Sequence, residues 1–260
     1  MRNMIIKNER QKYASDLTDS QWAIIKPLLP KAGNKSKWEK RELINAVLYL
    51  LENGCKWRNL PHDFPPHTTV SNFYYAAVKS GIWEKLLAVL VRYTREKAGR
   101  KTEPSYGIID SQSVKTAGRA ENKGIDGGKK TKGRKRHIVV DIMGNLLSVV
   151  VHAANIHDTK SGIFAAQKAI QKYPSIQRFC ADAGYRNSFE KDVESQLNRG
   201  VDISSRIKSD WEIIPKRWIV ERTFSWFNNS RRLSKDYEVS LLSAQSMCMI
   251  AAFRTLISRF

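Results

Sequence analysis

Two short apolar runs of this sequence each end in an aspartate, and this feature limits the fold more than any other. Asp110 follows the apolar residues 106–109, and Asp182 follows residues 179–181. Such runs are typical of buried strands in an α/β sheet, and ligand sites open at the carboxyl ends of those strands. The sequence therefore predicts two carboxylates at strand ends.

A third acid, Glu221, stands in the late segment RWIVERTFSWF, which has the pattern of a helix. Carboxylates bridge divalent cations, and phosphoryl transfer by two metals needs cations held about 3.5–4 Å apart. Asp110, Asp182 and Glu221 are therefore the predicted metal ligands and catalytic residues. Each acid taken singly also has a structural interpretation. For either aspartate it is an ordinary turn or cap residue, and for Glu221 it is an ion pair with Arg217, four residues before it.

Several motifs in one order span nearly the whole chain: SDLTDSQWAIIKPLLP, GCKWRNLPHDFPPHTTV, GKKTKGRKRHIVVD, NIHD and VERTFSWFNNSRRLSKDYE. Together with the three acids they resemble the DDE transposases of bacterial insertion sequences, specifically the insertion sequence five group. The resemblance implies an RNase H-like catalytic core and two Mg²⁺ or Mn²⁺ ions. It also implies cleavage and strand transfer of double-stranded DNA, between the terminal repeats of a mobile element and a target, by a homodimer or larger assembly.

The signature of the wider transposase group departs from this chain at two positions. It reads Tyr, two residues, Arg, three residues, Glu, six residues, Lys. Arg217 and Glu221 fit it, whereas Ile214 and Asn228 replace the Tyr and the Lys. A helix would place Arg217 and Glu221 on one face, toward a phosphate. Arg231 and Arg232 are the candidates for the contacts of the missing Lys.

The charge balance indicates a polyanionic partner without use of the family. The chain has 45 Lys and Arg against 25 Asp and Glu, a net charge of +20 and a pI near 10.0. The densest basic run lies between the first two predicted strands, beside glycines that let a phosphate backbone approach. We therefore predict that this run contacts DNA, through Lys129, Lys130, Lys132, Arg134, Lys135, Arg136 and His137. The alternative is that the run forms a solvated, mobile loop.

Asp126, His157 and Asp158 are secondary candidates, of which Asp158 is predicted to cap the helix that begins near Thr159. No Walker loop is supported, so no ATP site is expected. Three separated cysteines fit a reducing bacterial cytoplasm, with the protein on nucleoid DNA. No segment has the length and apolarity of a membrane span.

The predicted fold class is α/β: an RNase H-like core behind an N-terminal all-α domain of helix-turn-helix type. The tail is 1–14, the helical DNA-binding domain 15–97, the linker 98–104 and the catalytic domain 105–260. The helix near 68–79 is predicted to lie at a DNA groove, with a supporting bundle as the alternative. Helices are predicted at 20–29, 39–53, 68–79, 83–97, 159–172, 187–198 and 216–229, and strands at 106–110, 137–141, 146–151 and 178–182.

Other functions remain open at this point. A metal nuclease of the same fold would hydrolyse DNA without strand transfer, and a regulator would bind DNA without cutting it. A DNA-packaging protein would not need the three acids. A recombinase would use Tyr185 or Ser111 as nucleophile and would need its own activating Arg cluster. Four aromatic residues late in the chain are predicted mainly to pack in the core, with stacking on DNA bases as the alternative for some one of them. They are Trp211, Trp218, Phe224 and Trp226.

Overall fold

Helices form the first part of the protein, whose computed structural model describes residues 10–30, 37–204 and 217–260. A capping box between Thr18 and Gln21 starts the first helix. The second helix ends at Gly54, which adopts the left-handed conformation that glycine tolerates best. These helices are α1 (Asp19–Ile25), α2 (Lys40–Asn53), α3 (His67–Lys79) and α4 (Ile82–Lys97).

Strands and helices alternate in the remainder of the chain. The described strands are β1 (Tyr106–Lys115), β2 (Gly124–Asp126), β3 (Thr131–Val140), β4 (Leu146–Ala153), β5 (Arg178–Asp182) and β6 (Gly200–Ser204). The helices are α5 (Asp158–Lys172), α6 (Ser188–Leu197), α7 (Arg217–Asn228) and α8 (Leu241–Ile257).

One mixed sheet joins all of these described strands. Strand β1 lies at its centre, antiparallel to β3 on one edge and parallel to β5 on the other. Strand β6 continues the parallel part beside β5, whereas β2 and β4 both pair antiparallel with β3. Because β1 joins the antiparallel part to the parallel part, residues on β1 lie close to both.

Helices cover both faces of the sheet. The Ser148 hydroxyl donates to the carbonyl of Ala165 at 2.7 Å, which places α5 on the face of Ser148. Val139 is opposite both Ser148 and Ile109, so the side chain of Ile109 shares that face. Alternation along β1 therefore puts Asp110 on the other face. Helix α7 packs against β1, β3 and β5, and α8 packs against β4.

Helix α8 links the first helices to the sheet, because it packs on α2, α3 and α4 as well as on β4. A buried ion pair adds to this link: Arg95 of α4 lies 2.6 Å from Asp141, next to the turn between β3 and β4. The apolar core is continuous between the two parts. The domain division at residues 98–104 stays a prediction.

The predicted elements are present, with three differences. Strand β1 continues past Asp110 to Lys115, because β3 pairs with it over that whole length. Asp110 is therefore inside a strand, and only Asp182 ends one. The predicted basic loop was wrong over residues 131–136, which belong to β3. Helix α3 begins at His67, one residue before the predicted start, and its N-cap residue Pro66 makes no side-chain cap hydrogen bond.

Elements that the sequence did not predict are β2, β6 and α8. The apolar run of α8 contains many small residues and no regular charged face, which obscures a helical period. Across the described residues, we find no helix with the length and apolar character of a bilayer-spanning segment.

Candidate active site

The two predicted aspartates lie on neighbouring parallel strands. Ile108 of β1 is opposite Cys180 of β5, and each aspartate stands two residues further along its strand. Side chains two residues apart on a strand share a face. Asp110 and Asp182 therefore project from one face of the sheet, just past the last paired residues of β1 and β5, and both are half-buried.

Local hydrogen bonds orient these carboxylates. Oδ1 of Asp110 accepts the backbone N–H of Ser111 at 2.7 Å. Oδ1 of Asp182 accepts the N–H of Gly184 at 2.8 Å, in the short 3₁₀ turn that follows β5. Each of these hydrogen bonds uses one oxygen of its carboxylate.

Glu221 is exposed on α7, the helix that packs against the strands of both aspartates. The buried face of the helix consists of Ile219, Val220, Thr223, Phe224 and Phe227. These contacts explain why the segment lies flat on the sheet, with Glu221 at an exposed position of the helix. The three acids come from a central strand, its parallel neighbour and the covering helix.

The donor set is of the kind that Mg²⁺ and Mn²⁺ prefer, since carboxylate oxygens are hard ligands. Asp110 and Asp182 lie on the same face of neighbouring strands, a position from which they could bind one ion together. Residues 10–30, 37–204 and 217–260 contain no group of three or more His, Cys, Asp or Glu side chains already assembled around one point. Glu221 as a third ligand therefore stays a prediction.

Tyr185 is buried, and its environment disfavours a nucleophilic role. Burial is the main cause that raises the pKa of its hydroxyl well above 10, and the nearby charges of Asp110, Asp158 and Asp182 raise it further. The reactive phenolate is thus strongly disfavoured. This result argues against the recombinase alternative.

The Tyr185 hydroxyl instead begins a chain of hydrogen bonds. It lies 2.7 Å from Nε2 of His137, whose Nδ1 lies 3.4 Å from Nε2 of His152. Nδ1 of His152 donates to the carbonyl of Ala153 at 3.0 Å. Burial lowers the pKa of both histidines, that of His137 to about 3, so both are neutral at pH 7. The directions follow: Tyr185 donates to His137, and His137 donates to His152.

The predicted DNA contacts of the basic run divide into two sets. Lys129, Lys130 and Lys132 are exposed at the end of the β2–β3 hairpin, and we name them the hairpin tip. The other four residues are buried, and we name them the inner basic set: Arg134, Lys135, Arg136 and His137. Their burial leaves no surface for a phosphate, so the predicted DNA contacts of this set do not fit the structure.

Arg134 shows what the inner basic set does instead. Its Nη1 lies 3.0 Å from Oδ2 of Asp236, and it also donates to the carbonyls of Glu121, Glu238 and Val239. The Arg136 guanidinium donates to the carbonyl of Leu233 at 2.8 Å. These arginines fix the chain before α8 to the sheet, where their fork of donors satisfies backbone carbonyls.

Lys135 joins the two secondary aspartates. Its ammonium lies 2.9 Å from Asp158 and 3.5 Å from Asp126. Asp126 also accepts the Ser113 hydroxyl at 2.5 Å and the backbone N–H of Lys129 at 3.1 Å. Although burial opposes ionisation, these hydrogen bonds and lysine charges hold the pKa of Asp126 at about 2. Asp126 thus fixes the base of the hairpin.

At the start of α5, the cap was predicted wrongly. The capping residue is His157, whose Nδ1 accepts the N–H of Thr159 at 3.3 Å, and Asp158 is the first helical residue. Burial opposes ionisation of Asp158, but hydrogen bonds from Lys135 and Ser111 lower its pKa below the ordinary value. Both candidates have structural partners, and a catalytic role for either stays a prediction.

The arginines near the end of α7 differ from each other. Arg231 is exposed, whereas Arg232 is buried, 2.7 Å from Glu238, and donates to the carbonyl of Cys55. Arg232 is therefore unavailable to a phosphate. Asn228 is exposed at the last position of α7. The side chain of Arg217 and all of Ile214 lie outside the described residues.

The aromatic group is divided as well. Phe224 is buried, as core packing requires, but Trp218 is 42% exposed, so its predicted core position was wrong. The Arg222 guanidinium lies over Trp218 at 4.4 Å and over Trp226 at 4.7 Å. This cation–π stack covers part of both rings. Trp211 lies outside the described residues.

Sequence reasoning did not single out Lys115 or Lys235, which together line a groove on the sheet, or His152. Nothing in the local sequence distinguishes these two lysines from the other basic residues. Their common position arises from the pairing of Thr116 with Asp236, between segments far apart in the chain.

Comparisons with known proteins agree with this architecture. Residues 101–256 match the family described as "Transposase DDE domain", and residues 17–87 match "Putative transposase of IS4/5 family". A protein of Burkholderia cepacia named "Putative transposase for insertion sequence element IS402" is 29% identical over 171 residues, 59% of this chain and 78% of that protein.

Two shorter relatives match as well. "Uncharacterized protein y4sN" of Sinorhizobium fredii is 32% identical over 80 residues, 29% of this chain, and the chain covers 63% of its length. "Insertion element IS402 uncharacterized 16.2 kDa protein" of Burkholderia cepacia is 26% identical over 120 residues, 42% of this chain and 78% of that protein.

The DDE match implies an RNase H-like fold for the sheet and its helices, which fits the observed mixed α/β architecture. The helices that precede the sheet fall within the second match. Because the DDE match covers well over half of the 260 residues, the chain belongs to the DDE-domain transposases, within the IS4/5 group.

Proposed function

We propose that the protein is the transposase of an insertion sequence, which binds the element's terminal inverted repeats and catalyses DNA cleavage and strand transfer. One observation carries the proposal: Asp110 and Asp182 project from the same face of neighbouring parallel strands, and the helix that bears Glu221 packs against both strands. Membership of the DDE family supports the same assignment.

Asp110, Asp182 and Glu221 are the proposed ligands of two Mg²⁺ or Mn²⁺ ions. Divalent cations at this position would supply the positive charge that phosphoryl transfer requires at the attacking and leaving oxygens. The rigid central strands keep the two aspartates at a constant separation. Helix α7 brings Glu221 to the same face, so that the scissile phosphate is held in one orientation between sheet and helix.

The decisive experiment incubates the purified protein with Mg²⁺, element-end DNA and a supercoiled target plasmid. We expect products in which a 3′ end is covalently joined to target DNA, and we expect none with Glu221→Gln. Glu194→Gln, at an exposed position of α6, is the matched control and should retain joining. EDTA should abolish the reaction.

Two other outcomes would reject the full proposal. Hydrolysed ends without joined products would indicate a metal nuclease of the same fold. Specific binding of the end DNA without cutting would indicate a DNA-binding regulator.

Helix α3 is the proposed reader of the terminal repeats, in a module of helix-turn-helix type. Its inward residues are Val70, Tyr74 and Ala77, and it carries no acidic side chain. Its outward face is polar and aromatic, with an amide that suits adenine and a lysine that suits phosphate. This face consists of Thr68, Asn72, Tyr75, Ala76 and Lys79.

Two substitutions on this face separate base reading from phosphate contact. Asn72→Ala should reduce the preference for terminal-repeat over scrambled DNA, by about 1–3 kcal/mol if the amide reads a base. Lys79→Ala should weaken binding to both DNAs equally. A preference unchanged in Asn72→Ala would leave α3 as a supporting helix.

The proposed partners are double-stranded DNA and a second copy of the chain, in a homodimer or larger assembly that pairs two element ends. Light scattering of the protein with and without end DNA would measure the stoichiometry. We place this activity in the bacterial cytoplasm, on nucleoid DNA. In the described part of the chain, which includes all three cysteines, there is no disulfide, which fits a reducing compartment.

A further inference from the structure

One edge of β1 is open over part of its length. Strand β5 pairs with this edge only as far as Ile108, and the next pairing, between Thr116 and Asp236, begins eight residues later. Strand β3 occupies the opposite edge continuously as far as Lys115. Among the described strands, none pairs with residues 109–115 on the open edge.

A groove of about 420 Å³ follows this open edge, and we name it the β1-edge groove. Two of its lining residues are lysines, Lys115 exposed and Lys235 half-buried. Within the described part of the chain, no carboxylate lines the groove and neither ammonium forms an ion pair. The lining residues are Gln112, Ser113, Val114, Lys115, Thr131, Asn228, Leu233, Ser234 and Lys235.

The chemistry of this lining suits a phosphodiester backbone. Two ammonium groups supply charge for anionic oxygens, while hydroxyl and amide groups supply uncharged hydrogen bonds, as is usual in phosphate contacts. The span from Gln112 to Lys115 is about 10 Å, which is long enough for more than one phosphate of a nucleic-acid backbone. An extended chain of negative charges therefore fits better than a single small anion.

The groove begins beside the candidate catalytic carboxylates. Gln112 shares the face of Asp110 and stands two residues along β1, about 7 Å away. Asn228, at the other wall, is seven residues after Glu221, or about 10 Å along α7. A DNA strand that places a phosphate at Asp110 can thus continue directly into the groove.

We propose that the β1-edge groove binds the backbone of the DNA strand that is cut, on one side of the scissile phosphate, with Lys235 and Lys115 as its phosphate contacts. This inference rests on the proposed function and adds the path of the strand. Lys235 acts as a positioning residue. Its backbone neighbour Asp236 is anchored to β1, because the Asp236 N–H donates to the carbonyl of Lys115 at 2.9 Å.

The test measures the salt dependence of binding to end DNA by fluorescence anisotropy, without divalent metal. In Lys235→Gln, the slope of log affinity against log salt should decrease in magnitude by about 0.9, and in the double variant with Lys115→Gln by about twice that. Lys191→Gln is the matched control, because α6 packs on α5, on the opposite face of the sheet. Its slope should equal that of the wild type.

A relocated charge distinguishes phosphate contact from an indirect structural effect. Asn228 lines the same groove, so Asn228→Lys combined with Lys235→Gln should restore both the slope and the rate of end cleavage. Thermal unfolding of all variants should match the wild type.

The outcomes separate this inference from the proposed function. If Lys235→Gln keeps the wild-type slope while the wild type cuts and joins DNA, the proposed role of the groove is rejected and the proposed transposase activity is supported. If the slope changes as expected but the wild type neither cuts nor joins DNA, DNA binding in the groove is supported and the catalytic proposal is rejected.

Discussion

The hairpin tip and the inner basic set are consecutive in sequence yet opposite in environment. Lys129, Lys130 and Lys132 face solvent, whereas Arg134 and Arg136 are almost completely buried and bond to carbonyl oxygens and to Asp236. The comparison teaches that net charge overstates the surface available to DNA. Part of the +20 stabilises the fold, so only exposed cations should affect DNA affinity.

The largest expected loss of stability comes from a substitution in the inner basic set. Arg134→Ala should lower the free energy of unfolding by about 3–5 kcal/mol, because it leaves Asp236 buried without its ion pair. Urea unfolding followed by circular dichroism measures the loss. Lys130→Ala at the hairpin tip is the control and should change stability by less than about 0.5 kcal/mol. Equal effects at the two positions would contradict the division.

Asp126 connects the two sets, since it contacts Lys135 on one side and the backbone of the tip on the other. Asp126→Asn should cost about 1.5–3 kcal/mol at pH 7, the value of hydrogen bonds to a charged group. Because the folded-state pKa is about 2, below its ordinary value, this stabilisation is present above pH 4 and is lost as pH falls through 2.

Urea unfolding at pH 7 and at acidic pH measures that difference. Asp192→Asn, whose side chain makes an exposed hydrogen bond on α6, is the control and should be near neutral. A difference between wild type and Asp126→Asn that does not shrink on acidification would show that the charge of Asp126 is not the cause.

His137 tests the burial of the inner basic set through pH. Its folded-state pKa of about 3 is depressed from 6.5, so the unfolded chain binds a proton that the folded protein does not. Stability is therefore complete above about pH 6.5 and falls on acidification, by up to about 1.4 kcal/mol per pH unit. His137→Gln should be less stable at pH 7 but should flatten this slope.

The matched control is His62→Gln, which replaces an exposed histidine and should keep the wild-type slope between pH 7 and 5. An identical slope in His137→Gln would mean that other groups cause the loss. The neighbours that face His137 in the folded protein are Tyr185 and His152.

The smallest effect on stability, and a selective one on DNA, is expected at the hairpin tip. Replacing Lys130 and Lys132 by Gln should leave unfolding unchanged within about 0.5 kcal/mol, whereas Lys129 also donates to the carbonyl of Ser111 and is left in place. The salt slope of DNA binding should decrease by about 0.9 for each lysine that contacts a phosphate. An unchanged slope would show that the tip is solvated and does not contact DNA.

Much of the fold could be predicted from local pattern. The strands that end at Asp182 or contain Asp110 have apolar runs of β type, and α2 and α4 have clear helical periods with Gly54 and Gly81 at their ends. Strand β3 was predicted too short, because the run of Lys and Arg contradicts the expectation that a central strand is apolar. Its charges are tolerated only because carbonyls and carboxylates from distant segments surround them.

For the candidate site, residue types were predictable and surroundings were not. The motifs identified Asp110, Asp182 and Glu221, and strand alternation accounts for the common face of the two aspartates. The burial of Arg232 and the open edge of β1 depend on contacts between residues distant in the chain. The cap at His157 is a local contact with Thr159, but the sequence pattern pointed to Asp158 instead.

The sequence by itself determined most of the strands and helices in their order, though not β2, β6 and α8, together with the basic balance of the chain and the identity of its candidate acids. These follow from local apolar periods and residue chemistry. Only the tertiary structure decided which cations face solvent, which hydroxyls are buried and where a groove remains beside Asp110. The physical reason is that burial and pairing depend on what packs across from a residue. In this protein those partners are often about a hundred residues away, as Asp236 is from Arg134.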